Sequence, residues 1–231
     1  PGHTPEGRWH RGSDVARLRG GRRGLRHRHP DRPRPADHAV ADVPNYMISE
    51  NIPAGNFNSA MVLGQLKGFS TAMYGEGDWI KSFSNEQIFL NHELIKSKKM
   101  NAEQIQRDLA EYVLRFKGVK EAYTASDMRS KEFTINRPHL LQMGYNHKAS
   151  GDVLLILEPG WLVGGARGTT HGSGFNYDTH VPIAFYGWGI KPGKSASYTT
   201  VTDIAPTLSV LLQIRMPNGT TGSPIKEVIQ H

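Results

Sequence analysis

Strands that alternate with capped helices predict an α/β fold for this chain of 231 residues. The clearest strand is the apolar run from Val153 to Leu157, which lies between turn-forming residues. The clearest helix follows Asn101, where a capping box precedes apolar residues at every third or fourth position. A further helix follows Thr202 and Asp203 and carries Pro206 in its first turn. Together these three segments favour a sheet covered by helices.

The segment up to Ile95 is predicted to contain a loop, an ambiguous segment, and a strand followed by a helix. Residues 39–44, which follow Asp37 and His38, are typical of a loop that leaves a strand end, and residues 59–67 fit either a short helix or a short strand. Residues 79–83 predict a strand. Ser84 to Gln87 fits a capping box and predicts a helix. The inner face of that helix would carry Ile88, Phe89, His92 and Ile95, with His92 as a packed or surface histidine.

The remaining elements continue the alternation. Residues 119–124 predict a strand, whereas residues 129–145 are polar and predict only one helical turn, around His139 to Met143. Val181 to Tyr186 predicts a buried strand directly after a glycine-rich loop. The buried stripe of the last helix would consist of Ile204, Leu208, Leu211 and Leu212.

The formal net charge of +7 comes from one end of the chain. Residues 1–36 hold ten arginines against three acids, so the rest of the chain has 28 − 10 = 18 bases and 21 − 3 = 18 acids. This break divides a basic segment, residues 1–35, from a neutral body, residues 36–231. One interpretation is a disordered arm that binds phosphate backbones. The other is an out-of-frame segment, because the arginines there are accompanied by no lysine; the other two reading frames of the coding DNA would decide.

The sequence excludes cysteine chemistry and a membrane-spanning segment. The chain has no cysteine, so it forms neither disulfides nor thiolate metal sites. No stretch of the sequence is long and apolar enough to span a membrane.

Three residues predict a metal site. Asp37 and His38 offer a carboxylate and an imidazole at a loop, and His171 lies among glycines that let a backbone approach an ion or a phosphate. Asp178 and His180 lie downstream and are interpreted as a turn-closing or outer-shell carboxylate and as a structural or outer-shell histidine. The nearby hydroxyl residues Thr169, Thr170 and Ser173 are interpreted as loop hydrogen-bonding groups, since no activating base accompanies them.

Three motifs resemble the alkaline phosphatase superfamily. They are Ala36 to Ala39, the stretch Gly168 to Pro182, and the ending Thr202 to Leu208. The resemblance covers residues 36–231 and is closest to bacterial phosphate-insensitive alkaline phosphatases, which are related to nucleotide pyrophosphatase/phosphodiesterases. It implies the C-terminal part of an alkaline-phosphatase-like three-layer fold, with a central mixed sheet flanked by helices.

The resemblance also implies a site of two zinc ions. Asp37 and His38 would bind the ion that activates the nucleophile, and His171 would bind the other. The activity implied is hydrolysis of small-molecule phosphate monoesters through a phosphorylated Thr or Ser, in a periplasmic or secreted enzyme. The nucleophile and the other ligands of the family cannot be placed in residues 1–35, so the chain is expected to be an inactive fragment.

Other functions stay open at this point. A phosphodiesterase or a sulfatase of the same superfamily is the nearest alternative. A protein of another class, a nucleic-acid-binding protein with a basic arm, would show strongly salt-dependent binding that disappears when residues 1–35 are deleted. A third alternative is a purely structural fragment, because three ligands are fewer than a closed zinc site takes.

Overall fold

The computed structural model describes residues 38–164, 168–187 and 189–229, and it confirms the α/β class. The basic segment, Asp37 and Trp188 lie outside the described residues. Two compact units divide the chain between His180 and Val181. The first unit runs from His38 to His180, and the described part of the second runs from residue 181 to residue 229. No helix among the described residues has the length and apolar character needed to cross a membrane.

The elements of the two units are as follows. The strands are β1 (Gly55–Phe57), β2 (Ile80–Ser84), β3 (Gln87–Leu90), β4 (Val119–Thr124), β5 (Val153–Leu157) and β6 (Trp161–Val163). The helices are α1 (Pro44–Ser49), α2 (Ser59–Tyr74), α3 (His92–Ser97), α4 (Ala102–Val113), α5 (Ala125–Ser130), α6 (Asn136–Gly144), α7 (Asn176–Thr179), α8 (Ile204–Leu211) and α9 (Lys226–Ile229).

Two sheets form the first unit, and both parallel and antiparallel pairs occur. Strands β1 and β6 pair in parallel, whereas an antiparallel sheet has the order β2-β3-β5-β4. All five residues of β5 are buried, as the unbroken apolar run in the sequence predicts. Helices α2 and α4 pack on this core through side chains such as Leu66 and Leu109, neither of which is accessible to solvent. The predicted cap of α4 is confirmed, since the Asn101 side chain accepts hydrogen bonds from two backbone amides.

The helix predicted after Ser84 is wrong, because the segment forms a hairpin between β2 and β3. Asn85 and Glu86 have positive φ angles of 49° and 54°, the left-handed conformation that a two-residue hairpin turn requires. Ile88 and Leu90 are buried while Gln87 and Phe89 are partly exposed, which is the period of a strand. Pairing of β3 with β2 and β5, and not the capping-box pattern, determines the conformation.

Residues 129–145 contain more helix than the sequence predicted. They include the end of α5 and the whole of α6, instead of a single turn. A capping box between Thr124 and Asp127 begins α5 directly after β4. The ambiguous segment at residues 59–67 is the start of the long helix α2.

The second unit differs from the sequence prediction at two places. Residues 181–186 are not a strand, and within the described residues no other strand pairs with them. Helix α8 forms after a 3₁₀ turn that Thr200 and Asp203 cap, but its buried residues are Pro206, Thr207 and Ser209. The predicted stripe is therefore wrong: Leu212 lies just after the helix and is 64% exposed. Thr207 is buried in place of the predicted stripe. Its hydroxyl accepts a hydrogen bond from the Ile225 amide and so anchors the helix.

Candidate functional site

The glycine-rich loop that carries His171 is tied to the segment that follows His38. The Ala39 amide donates to the backbone carbonyl of Asp178 at 2.8 Å. The hydroxyl of Thr169 donates to the carbonyl of Ala41. Two hydrogen bonds thus join segments that lie far apart in the sequence.

These ties bring His38 and His171 into contact. Their rings stack with centroids 3.5 Å apart and an angle of 12° between the planes. Both residues are exposed, and the Nδ1 atom of His38 lies 3.0 Å from the carbonyl oxygen of Ala39, a contact that orients the ring. The structure thus brings together two of the three residues that the sequence singles out.

Asp37, the third of these residues, lies outside the described residues. Among the residues that the structure describes, no group of three or more potential metal-ligating side chains forms. The residue types are nevertheless suited to zinc, because imidazole nitrogen is a good zinc donor.

Glycine and aspartate determine the local shape of the loop. Gly172 has a φ of 119°, a conformation that side chains rarely adopt, immediately after His171. The chain then turns back, because the Ser173 amide donates to Oδ2 of Asp178 at 2.7 Å. The turn-closing role predicted for Asp178 is therefore confirmed. Thr169 and Ser173 also act as the loop hydrogen-bonding residues that the sequence predicted, since the Ser173 hydroxyl accepts from the Phe175 amide.

Aromatic residues anchor the end of the loop to the core of the first unit. Phe175 stacks on Tyr177, whose hydroxyl accepts a hydrogen bond from the Gly160 amide at 3.1 Å. The Arg137 guanidinium lies over the Phe175 ring, 4.6 Å from its centroid. The loop that presents His171 is consequently held on its downstream side by α6 and by the turn between β5 and β6.

Arg137 belongs to a charged cluster that sequence reasoning missed. Its guanidinium lies 3.4 Å from a carboxylate oxygen of Glu121, and the other oxygen accepts from the Tyr123 hydroxyl at 2.6 Å. Burial and the neighbouring carboxylate raise the pKa of Tyr123 well above its usual value, so this phenol stays protonated. These residues come from β4 and α6, and no local pattern in the sequence indicates that they meet.

The two other histidines considered in the sequence do not join His38 and His171. His92 begins α3 and pairs with Asp152 at 2.9 Å, in agreement with a surface role. His180 is exposed and follows α7.

Solved structures of an alkaline phosphatase share this fold. A crystal structure of wild-type alkaline phosphatase PafA matches with a TM-score of 0.77 and 29% sequence identity, over 83% of this chain and 36% of that chain. A crystal structure of a quadruple mutant of PafA matches with a TM-score of 0.75 and 30% identity, with the same coverage.

Sequence comparison with curated proteins agrees with the structural match. The chain is 34% identical to alkaline phosphatase PafA of Elizabethkingia meningoseptica, over 84% of its own length and 36% of that protein. It is 30% identical to alkaline phosphatase PhoV of Synechococcus elongatus, over 84% of this chain and 35% of that protein. A protein of Myroides odoratus named calcium-transporting ATPase is 36% identical, over 84% of this chain and 36% of that protein. No family model matches the sequence.

This chain belongs to the alkaline phosphatase superfamily. It spans about a third of the length of the curated relatives it matches. The relatives on which this family assignment rests include two proteins named alkaline phosphatase.

Proposed function

We propose that this chain forms the zinc-binding C-terminal part of a phosphomonoesterase. The observation that carries the proposal is the contact between His38 and His171, since residues far apart in sequence meet through rings 3.5 Å apart. A structural role alone would not require two exposed imidazoles to be held side by side by loops. The relatives are named alkaline phosphatase and calcium-transporting ATPase, and both names refer to enzymes that cleave a bond to a phosphoryl group.

Two zinc ions are the proposed cofactors, and the residues divide between them. Asp37 and His38 would hold the ion next to the nucleophile, and His171 would hold the other. When bound, the ions supply positive charge to the entering and leaving oxygens of an in-line displacement. The chain's own contribution is to fix the two imidazoles on loops whose backbones are tied by the hydrogen bond from Ala39 to Asp178.

The proposed substrates are small-molecule phosphate monoesters, cleaved through a phosphorylated Thr or Ser in a periplasmic or secreted enzyme. A phosphodiesterase or a sulfatase of the superfamily is the alternative. We propose that the 231-residue chain alone has negligible turnover, because one carboxylate and two imidazoles are fewer donors than two zinc ions take. Robust zinc-dependent hydrolysis of an aryl phosphate by the purified chain would contradict this last point.

The metal assignment is tested by zinc titration of the purified chain against a competing chromophoric chelator. We expect His171→Ala and His38→Ala each to weaken binding by at least about tenfold, because each removes an imidazole donor. The matched control is His147→Ala, which removes an exposed histidine from a turn and leaves zinc affinity unchanged. Equal zinc affinity in the wild type and both ligand variants would refute the assignment. Zinc bound only by the four histidines of residues 1–35 would give that same result.

A further inference from the structure

Asp178 makes contacts to both of the loops that carry the candidate ligands. Its side-chain Oδ2 accepts a hydrogen bond from the Ser173 amide at 2.7 Å, two residues after His171. Its backbone carbonyl accepts from the Ala39 amide at 2.8 Å, one residue after His38. One residue therefore fixes the chain next to each imidazole.

The Asp178 carboxylate is buried, although it lies close in sequence to an exposed loop. The residue is only 2% exposed. Its second oxygen, Oδ1, receives no hydrogen bond from any residue that the structure describes. A buried carboxylate with one donor is costly, because it loses hydration that a single hydrogen bond does not replace.

A nearby cation would offset this cost. The carboxylate accepts a hydrogen bond from the Ser173 amide, two residues after His171, so it belongs to the same loop as that candidate ligand. Carboxylates near metal sites commonly orient the ligands without coordinating the ion, and Asp178 would do so through the backbones of the two loops.

We infer that Asp178 is a positioning residue of the zinc site, which sets the distance between the His38 and His171 loops and supplies a buried carboxylate whose Oδ1 receives no hydrogen bond from the described residues. The inference rests on the proposed function. It goes beyond a turn-closing role, since a turn needs only the acceptor oxygen that Ser173 uses.

Two substitutions separate the charge from the hydrogen bond. In Asp178→Asn the amide oxygen can still accept from Ser173, and the amide group replaces an oxygen that no described donor contacts. We expect Asp178→Asn to fold with an unchanged or higher melting temperature, and zinc to bind roughly tenfold or more weakly. In Asp178→Ala, we expect faster hydrogen exchange at the Ser173 amide as well, because its acceptor is gone.

The matched control is Asp127→Asn, a partly buried carboxylate that also closes a turn, in the capping box of α5. It should leave zinc affinity unchanged. The visible absorption of bound Co²⁺ gives a second readout, because a change in the relation of the two imidazoles alters the ligand field, whereas a loss of stability does not.

Each outcome has a definite meaning. Weak zinc binding in Asp178→Asn at normal stability, together with an altered Co²⁺ spectrum in Asp178→Ala, supports the inference. Normal zinc affinity in Asp178→Asn overturns it, even if Asp178→Ala binds poorly, since the residue would then be structural only. A wild-type chain whose zinc affinity does not depend on His38 or His171 overturns the proposed function and this inference together.

Discussion

Removal of the Asp152 side chain is expected to be among the most damaging single changes in the first unit. This carboxylate is 7% exposed and directly precedes β5. Its Oδ2 accepts from the Leu90 amide at 2.8 Å, and its Oδ1 accepts from Nε2 of Gln106 at 2.9 Å. The same oxygen lies 2.9 Å from Nε2 of His92. Asp152 therefore links β3, α3 and α4 to β5.

The cost of Asp152→Ala follows from the donors that it leaves behind. The Leu90 amide and the Gln106 side chain are both buried, and each unsatisfied donor costs about 1 to 3 kcal/mol. The pair with His92 adds at most about 1 kcal/mol, because the histidine side chain is 60% exposed. We expect a total loss of about 3 to 5 kcal/mol in the free energy of unfolding, in the range for breaking a buried polar network.

Urea denaturation of the purified chain, followed by tryptophan fluorescence, measures this loss, because Trp79 is buried in the same core. The matched control is Asp78→Ala, which breaks an exposed ion pair with Lys67 and should cost less than about 1 kcal/mol. His92→Ala should resemble this control. If Asp152→Ala costs no more than Asp78→Ala, the network is not a source of stability and the reasoning is wrong.

Three further changes test other parts of the first unit, each by urea denaturation. Glu86→Gly should stabilise it by up to about 1 kcal/mol, because the strain relieved at the observed φ of 54°, roughly 1 to 2 kcal/mol, exceeds the roughly 0.4 to 1 kcal/mol of unfolded-chain entropy that glycine adds. Burial also raises the pKa of the Glu86 carboxyl, so the native state loses stability as pH rises from the ordinary pKa of a glutamate to this raised pKa. The advantage of the variant should therefore be larger at neutral pH than in acid, and an equal or larger advantage in acid would contradict this. Asn101→Ala removes the cap of α4 and should cost about 1 kcal/mol, and an unchanged urea midpoint would count against the cap. Gly118→Ala should cost at least about 2 kcal/mol, since the new methyl group would overlap the Trp161 ring at a φ of 93°; a fully stable variant would show that the ring moves freely.

The sequence predicted the elements whose signal is local. The buried strand at Val153 to Leu157 and the helix capped by Asn101 were correct because composition and spacing within a few residues determine them. The hairpin at Asn85 and Glu86 was missed for the opposite reason. A capping-box pattern and a hairpin turn use similar polar residues, and only pairing with β5 distinguishes them.

The candidate site shows the same division. The sequence by itself determined the α/β class, the family resemblance and the choice of His38 and His171 as candidate ligands. These depend on motifs and residue types, which can be recognised without knowing the tertiary contacts. Only the tertiary structure decided that the two rings stack, and that Asp178 joins their loops. Contacts between residues far apart in sequence depend on the packing of the whole first unit, and no local periodicity or propensity encodes them.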